Sequence, residues 1–245
     1  MANYVLGTGI LPEPRERGLL DYIQQHGGLV MGMTRSRPNV TFWTGPHSAN
    51  PLYGTRYVLT LLRRDEPDRA LVSFYGMLAQ GFTRDTFIAG EGGSITPLDA
   101  HGRIFYCPPN SAGNTHFLTM LRHLLVQDWD ADDDGKPDTL RLGFATPKRW
   151  LEDGKEIKVE RAPTAFGEIS LTLRSRLNAG EVLAEFTPPA RAPKQALLRV
   201  RVPDGWQVLS ARAGERELKL DAQGTVDVSA LREKLALRFT VRKVN

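Results

Sequence analysis

Apolar positions along the chain follow two different periods. In the first half they recur at helical spacing. Between residues 17 and 26, Leu19, Leu20, Tyr22 and Ile23 share a helix-compatible stripe, which Gly27 and Gly28 end. Between 53 and 64, Tyr53, Tyr57, Val58, Leu61 and Leu62 form a second stripe, and Pro67 breaks the chain after it. Asp68 can cap a third helix carrying Leu71, Phe74, Tyr75 and Leu78. A fourth is expected over 111–127, with Phe117, Leu118, Leu121, Leu124 and Leu125 inward. The intervening stretches 27–52 and 81–110 read as long loops, and loops of that length in a compact domain are usually functional.

Past Asp138 the period becomes two. Ile169, Leu171 and Leu173 alternate with Ser170, Thr172 and Arg174, and Leu235, Leu237, Phe239 and Val241 alternate with polar or small residues. Turn signals recur between such runs at 152–154, 178–180, 203–205, 213–214 and 223–224. Short strands with glycine-bearing turns predict an antiparallel β-sandwich. The expectation is therefore an α+β multidomain chain, with helical hairpins over 1–130 and the sandwich over 131–245.

Composition changes little in this picture. The 245 residues are 41% hydrophobic and 24% charged, in the range of globular proteins, and no apolar run reaches the roughly 20 residues of a membrane span. One cysteine, Cys107, excludes an internal disulfide framework. The opening residues lack a signal-peptide pattern, so the chain as read is expected to be cytoplasmic. The net charge of +4 is concentrated from residue 174 onward, where 14 Lys and Arg stand against 8 Asp and Glu. Many of those cations alternate with apolar residues, as a solvated sheet face requires, and do not cluster as a nucleic-acid surface would. The chain has no Gly-x-Ser-x-Gly elbow, no P-loop, no strand-associated Gly-x-Gly-x-x-Gly and no zinc spacing. Those absences argue against a serine hydrolase, an NTPase and a dinucleotide oxidoreductase.

Several segments carry a resemblance: 41–47 (TFWTGPH), 53–57 (YGTRY), 61–67 (LLRRDEP), 82–87 (FTRDTF), 90–94 (GEGGS) and 108–114 (PPNSAGN). Further on stand 146–150 (TPKRW), 153–155 (DGK) and 161–167 (RAPTAFG). With helices joined by alternating short and long loops and then a sandwich, the chain resembles the C-terminal part of six-hairpin, (α/α)6-barrel glycosidases of the glucoamylase and α-L-rhamnosidase type. The resemblance implies a partial (α/α)6 barrel followed by a β-domain, and hydrolysis or binding of glycosides. A full barrel needs about twelve helices, so the missing half would belong to a longer chain or to a partner chain. The family is often secreted, which leaves the compartment open.

Glycoside hydrolysis generally uses two carboxyl groups, about 5–5.5 Å apart for retention and about 6.5–9.5 Å for inversion. Glu91 is the leading candidate, because its neighbours Gly90, Gly92 and Gly93 allow a tight bend and close approach of a ligand. The resemblance places a catalytic base on a comparable late loop. The alternative is an exposed loop glutamate bonded to nearby backbone. Asp85 is the candidate second carboxylate, with a salt bridge to Arg84 or a capping role as its alternative. Sugars need aromatic faces and polar groups around them. Trp43 and His47, with Phe42, Tyr53, Arg56, Tyr106, Asn110 and Asn114, supply these, with core packing as the competing role. His26, His116 and His123 read as structural.

The run 130–138 (DADDDGKPD) places carboxylates at positions 1, 3, 5 and 9 and glycine at 6 of a calcium-type loop. Asp130, Asp132, Asp134 and Asp138 are the candidate ligands for a structural Ca2+. Position 12 is Arg141 where an EF-hand places its bidentate glutamate, so the motif departs from a true EF-hand. A solvated acidic linker is the alternative reading. A non-catalytic carbohydrate-binding or scaffold module remains the second functional reading. No membrane or nucleic-acid partner is expected.

Overall fold

The computed structural model describes residues 2–35, 48–95 and 102–244. The chain divides into two compact units, residues 1–123 and 124–245. Together they make a mixed α and β protein, with four α-helices and several sheets among the described residues.

The first unit contains helix α1 (Glu13–Gln25), the two-residue strands β1 (Leu29–Val30) and β2 (Met33–Thr34), and strand β3 (Ser48–Ala49). A 3-10 turn at Pro51–Gly54 leads into α2 (Thr55–Arg63), followed by α3 (Pro67–Gln80). Then come β4 (Gly92–Ser94), β5 (Phe105–Tyr106) and α4 (Ser111–Leu125). Proline stands at the start of both the 3-10 turn and α3, where its missing N–H costs nothing.

The buried stripe of α2 is Tyr57, Val58, Leu61 and Leu62 as its spacing predicts, while Tyr53, expected in the same stripe, lies exposed in the preceding 3-10 turn. On α4 the buried positions are Gly113, His116, Met120 and Leu124. Leu118, expected inward, is instead 61% exposed, since it lies on the opposite face from that stripe. On α3, Phe74 and Met77 are buried, while Val72, Tyr75 and Leu78 are left exposed. The stretches expected as loops also contain paired strands. β3, β4 and β5 form a small antiparallel sheet in the order β3-β4-β5, with Ala49 opposite Gly93 and Gly92 opposite Tyr106.

The second unit begins with β6 (Val126–Trp129) and β7 (Thr139–Leu142). The long strands β8 (Glu156–Thr164), β9 (Gly167–Arg176) and β10 (Glu181–Thr187) follow. The chain continues through β11 (Gln195–Arg199), β12 (Trp206–Ala213), β13 (Arg216–Leu218) and β14 (Thr225–Asp227) to β15 (Leu235–Lys243). One sheet has the order β13-β12-β15-β10-β9-β8 and is antiparallel throughout. The other has the order β14-β11-β7-β6 and is mixed, because β11 pairs parallel to β7. Leu140, Leu142 and Leu198 of the mixed sheet join Ile169, Leu171, Leu173, Leu237 and Phe239 of the other in one apolar core. Ile169, Leu171, Leu173, Leu237 and Phe239 belong to the alternating set read from the sequence, so on β9 and β15 the pleat buries the predicted face.

One polar link ties α2 to α4 in the first unit. The His116 imidazole Nδ1 lies 2.9 Å from Thr55 Oγ1, and His116 is only 4% exposed. Burial penalises the imidazolium and pushes the His116 pKa down from 6.5 to about 4. Between those values the unfolded chain binds a proton that the folded chain refuses. Stability should therefore be complete above about pH 6.5 and decline as pH falls to about 4, with His116 contributing about 3 kcal/mol at most. Urea unfolding of wild type and His116→Asn across this window checks it. The variant should show a visibly shallower acid slope.

Candidate functional site

The Glu91 loop is held by close backbone contacts. A β-carbon on Gly90 would stand 2.9 Å from the Tyr106 carbonyl oxygen, and one on Gly92 would stand 2.3 Å from the Asn50 amide nitrogen. Glycine is thus needed on both sides of Glu91 for the strands to approach. The Glu91 N–H donates to the Tyr106 carbonyl at 2.9 Å, and the Asn110 N–H donates to the Ala89 carbonyl at 2.8 Å. Gly113, in the first turn of α4, brings that helix against Ala89 and the Gly90 carbonyl. Behind the loop, Met33, Ala49, Pro51, Gln80, Gly90, Gly92 and Phe105 leave a void of only about 10 Å³. Glu91 presents its side-chain face to Tyr53.

That face is set by Tyr53, which sits in the 3-10 turn Pro51–Gly54. The Asn50 N–H donates to the Thr34 carbonyl at 2.8 Å, and the Thr34 hydroxyl donates to the Asn50 carbonyl at 2.8 Å, fixing the start of this turn. From it the Tyr53 hydroxyl donates to Glu91 Oε1 at 2.6 Å. This is a short, charge-assisted bond. The phenol is the donor, and giving up its proton would set a phenolate against a carboxylate. Chiefly because ionisation would forfeit the hydrogen bond to Glu91, with burial and then that charge repulsion adding to it, the Tyr53 pKa is pushed up from 10 to about 12. Among the described residues the Glu91 side chain has no other hydrogen-bond or ion-pair partner, so Oε2 is left for solvent or a ligand.

Tyr106 and Tyr4 complete the surroundings. Both lie within electrostatic reach of the Tyr53 phenol, and Tyr106 is also within reach of Glu91. Tyr106 bonds the side chain of its neighbour Cys107, which is the main cause of its raised pKa. The Asn3 amide donates to the Tyr53 carbonyl at 3.4 Å, setting the N-terminal 3-10 turn, Ala2–Val5, beside this turn. Nothing in the sequence singles out Tyr4, because its place depends on a contact across some fifty residues.

The remaining candidates are placed as follows. Asp85 is exposed in the turn after Phe82, at a positive φ of 65°, and among the described residues nothing bonds it to Glu91. Asn110 Oδ1 accepts from the Gly113 N–H at 2.7 Å and so caps α4. Asn114 Oδ1 is buried and unpaired one turn further on. Arg56 Nη1 reaches the Leu6 carbonyl at 3.5 Å. Trp43 and His47, with Phe42, lie outside the described residues.

In the second unit, Asp130, Asp132 and Asp134 each offer a carboxylate oxygen within 4.8 Å of the others. Their carboxylates also accept backbone N–H groups: Asp130 from Asp134 and Gly135, Asp132 from Asp134, and Asp134 from Lys136. Asp138 is turned to the loop's own frame, accepting from the Ala131 N–H at 3.1 Å and the Thr139 hydroxyl at 2.7 Å. Lys194 lies across this loop, its Nζ 2.5 Å from Asp132 and 4.0 Å from Asp138. It holds the Asp132 pKa below the usual carboxylate value.

No protein-family model matches the chain, and no curated protein sequence does. Among solved structures it is similar to a glycoside hydrolase, with 10% identity, a TM-score of 0.41, and coverage of 79% of this chain and 33% of that one. It is also similar to a Streptomyces avermitilis α-L-rhamnosidase solved with L-rhamnose, with 12% identity and a TM-score of 0.43 over 99% of this chain and 21% of that one. The chain thus spans a third and about a fifth of those two proteins. Superpositions this loose assign no residue a role.

The Tyr53–Glu91 bond has a direct optical readout. In alkaline titration followed at tyrosine absorbance, wild type should hold one phenol back to about pH 12. Glu91→Gln, which removes the charge, should return that phenol toward the ordinary value near 10.

Proposed function

We propose that the chain is a carbohydrate-active module, the C-terminal part of a six-hairpin glycoside-hydrolase-like protein, with Glu91 as its catalytic base or principal sugar contact. The observation that carries this reading is the Tyr53–Glu91 bond, which leaves Oε2 of Glu91 without a partner among the described residues. The carboxylate stands on a braced, glycine-flanked loop, one oxygen engaged by Tyr53 and the other open, beside the ring of Tyr53 and within reach of Tyr106. Such a group can accept a proton from water or from a sugar hydroxyl. Trp43, His47, Tyr53, Arg56, Tyr106, Asn110 and Asn114 are the proposed sugar-binding set. Asp85 or a carboxyl group on a complementary segment would supply the second acid. The apolar side chains Val72, Tyr75, Leu78 and Leu118, left exposed on α3 and α4, support the view that further hairpins complete an (α/α)6 barrel. The second reading is a non-catalytic carbohydrate-binding or scaffold module.

We also propose that Asp130, Asp132 and Asp134 hold a structural Ca2+, in competition with Lys194. The three convergent carboxylates support it, and the lysine weakens it.

Two measurements test these proposals. In a thermal-shift screen against mono- and oligosaccharides at high concentration, a cognate sugar should raise the wild-type melting temperature and shift Glu91→Gln less. A cooperative melt that no sugar moves would exclude the carbohydrate reading. Terbium luminescence excited through tryptophan should show weak binding displaced by Ca2+, tightened severalfold in Lys194→Ala. Equal, unsaturable signals in both proteins would count against the ion.

A further inference from the structure

We infer that the β-rich unit carries a binding site of its own, a small cavity walled by its proline-rich 187–194 loop, which takes an apolar carboxylate. The site shares no residue with the Glu91 site and does not rest on it.

The cavity has a volume of about 240 Å³ and lies where the end of β10, the start of β11 and the link between β14 and β15 meet. Its lining includes the buried core side chains Phe186, Ala196 and Val228. Pro188, Pro189 and Pro193 of the loop add apolar wall. Ala192 and Ala196 are too short to fill the space between. The loop is pinned back onto the turn between β8 and β9. There the Arg191 N–H donates to the Phe166 carbonyl at 3.0 Å, and Arg191 Nη2 donates to the Ala165 carbonyl at 2.6 Å. At the other end of the loop, Lys194 is bound to Asp132. Proline fixes φ, so a loop anchored at both places and carrying three prolines has little freedom to collapse into the cavity. A preformed apolar space of this kind takes a ligand without the cost of ordering its own walls. Its size falls just below the roughly 300 Å³ at which drug-sized sites begin, which suits a single ring or a short alkyl chain.

The charge at the cavity decides the class of ligand. Arg232 is the one charged side chain among the described residues that line it. Its Nη1 donates to the Ser229 carbonyl and, at 3.2 Å, to the Leu231 carbonyl. Those two bonds use both N–H groups of Nη1 and fix the plane of the guanidinium. The edge formed by Nε and Nη2 is the fork that grips a carboxylate through two parallel bonds. Asp227, at the β14 end of the same link, is turned to Ser229, accepting from its N–H at 2.8 Å and its hydroxyl at 2.5 Å. The Ser229 hydroxyl also accepts the Ala196 N–H at 2.8 Å, so this serine braces the lining and leaves the polar anchoring to Arg232. An apolar body matches the walls and a carboxylate matches the fork. Arg232 is exposed, so the expected preference for the charged ligand is about fivefold, on an affinity of about millimolar.

The test uses the whole chain with alanine, valine and leucine methyl groups isotope-labelled, followed by NMR at constant ionic strength. The probes are phenylacetate, phenethyl alcohol and acetate. Phenylacetate should saturably move the Ala192, Ala196, Val228 and Leu231 methyl resonances, with phenethyl alcohol about fivefold weaker and acetate without effect at the same concentration. Arg232→Gln should lower phenylacetate binding to the level of phenethyl alcohol. Ala192→Phe, at an exposed loop position, should fill the cavity and abolish binding of both. Equal binding of phenylacetate and phenethyl alcohol to the wild type, or a preference that survives Arg232→Gln, would overturn the carboxylate assignment to Arg232. Acetate binding as tightly as phenylacetate would reduce the site to an anion contact and overturn the role of the cavity. Silence of the four methyl resonances with every probe would overturn the inference outright. Each of these outcomes leaves the Glu91 reading where it stands.

Discussion

The placement of Glu91 depends on how closely three stretches of backbone can approach one another. β3, β4 and β5 are two or three residues long, too short to hold a loop rigid by their own hydrogen bonds. The first turn of α4 and the turn at Asn50 press on the same segment from other sides. Glycines at 90, 92 and 113 are what let these contacts close, since a β-carbon at any of them would meet another atom at 2.9 Å or less. Glu91 is the one residue of the 90–93 run with a functional side chain, and that side chain reaches the Tyr53 hydroxyl. Its geometry is therefore a product of absence: side-chain volume is removed around it so that the backbone can fix it.

The two acidic sites solve their electrostatics in opposite ways. In the 130–138 loop the carboxylates are engaged from within, by backbone N–H groups and by the charge of Lys194. Among the described residues Glu91 has one side-chain partner, and it is neutral. The phenol of Tyr53 fixes the carboxylate without cancelling its charge, and the raised Tyr53 pKa is the counterpart of that arrangement.

The β-rich unit handles buried charge differently again. Arg199 is 6% exposed, lies 3.9 Å from the centre of the Phe144 ring, and bonds Thr225 and Gln223. Arg141 approaches the same ring at 5.3 Å. These cations stand at strand positions and help fill the space beside the core, with the aromatic ring standing in for hydration. They account for part of the basic excess of this half without implying a polyanion surface.

The sequence by itself determined the elements whose side chains repeat long enough to show a period. The stripe of α2 and the alternation of β9 and β15 are legible because each spans at least nine residues and buries one face. The change from period 3.6 to period two likewise showed a helical part followed by a β-rich part. The glycines around Glu91 marked a special loop, since so many in a row allow close approach. Only the tertiary structure decided the rest. Strands of two or three residues have no period to read, and the parallel β7–β11 pair joins segments more than fifty residues apart. The same holds for the contacts that define the site. Tyr53 meets Glu91 across 38 positions, and Lys194 meets Asp132 across 62. Such pairings leave no local trace, because neither partner's conformational preference depends on the other until the chain has folded.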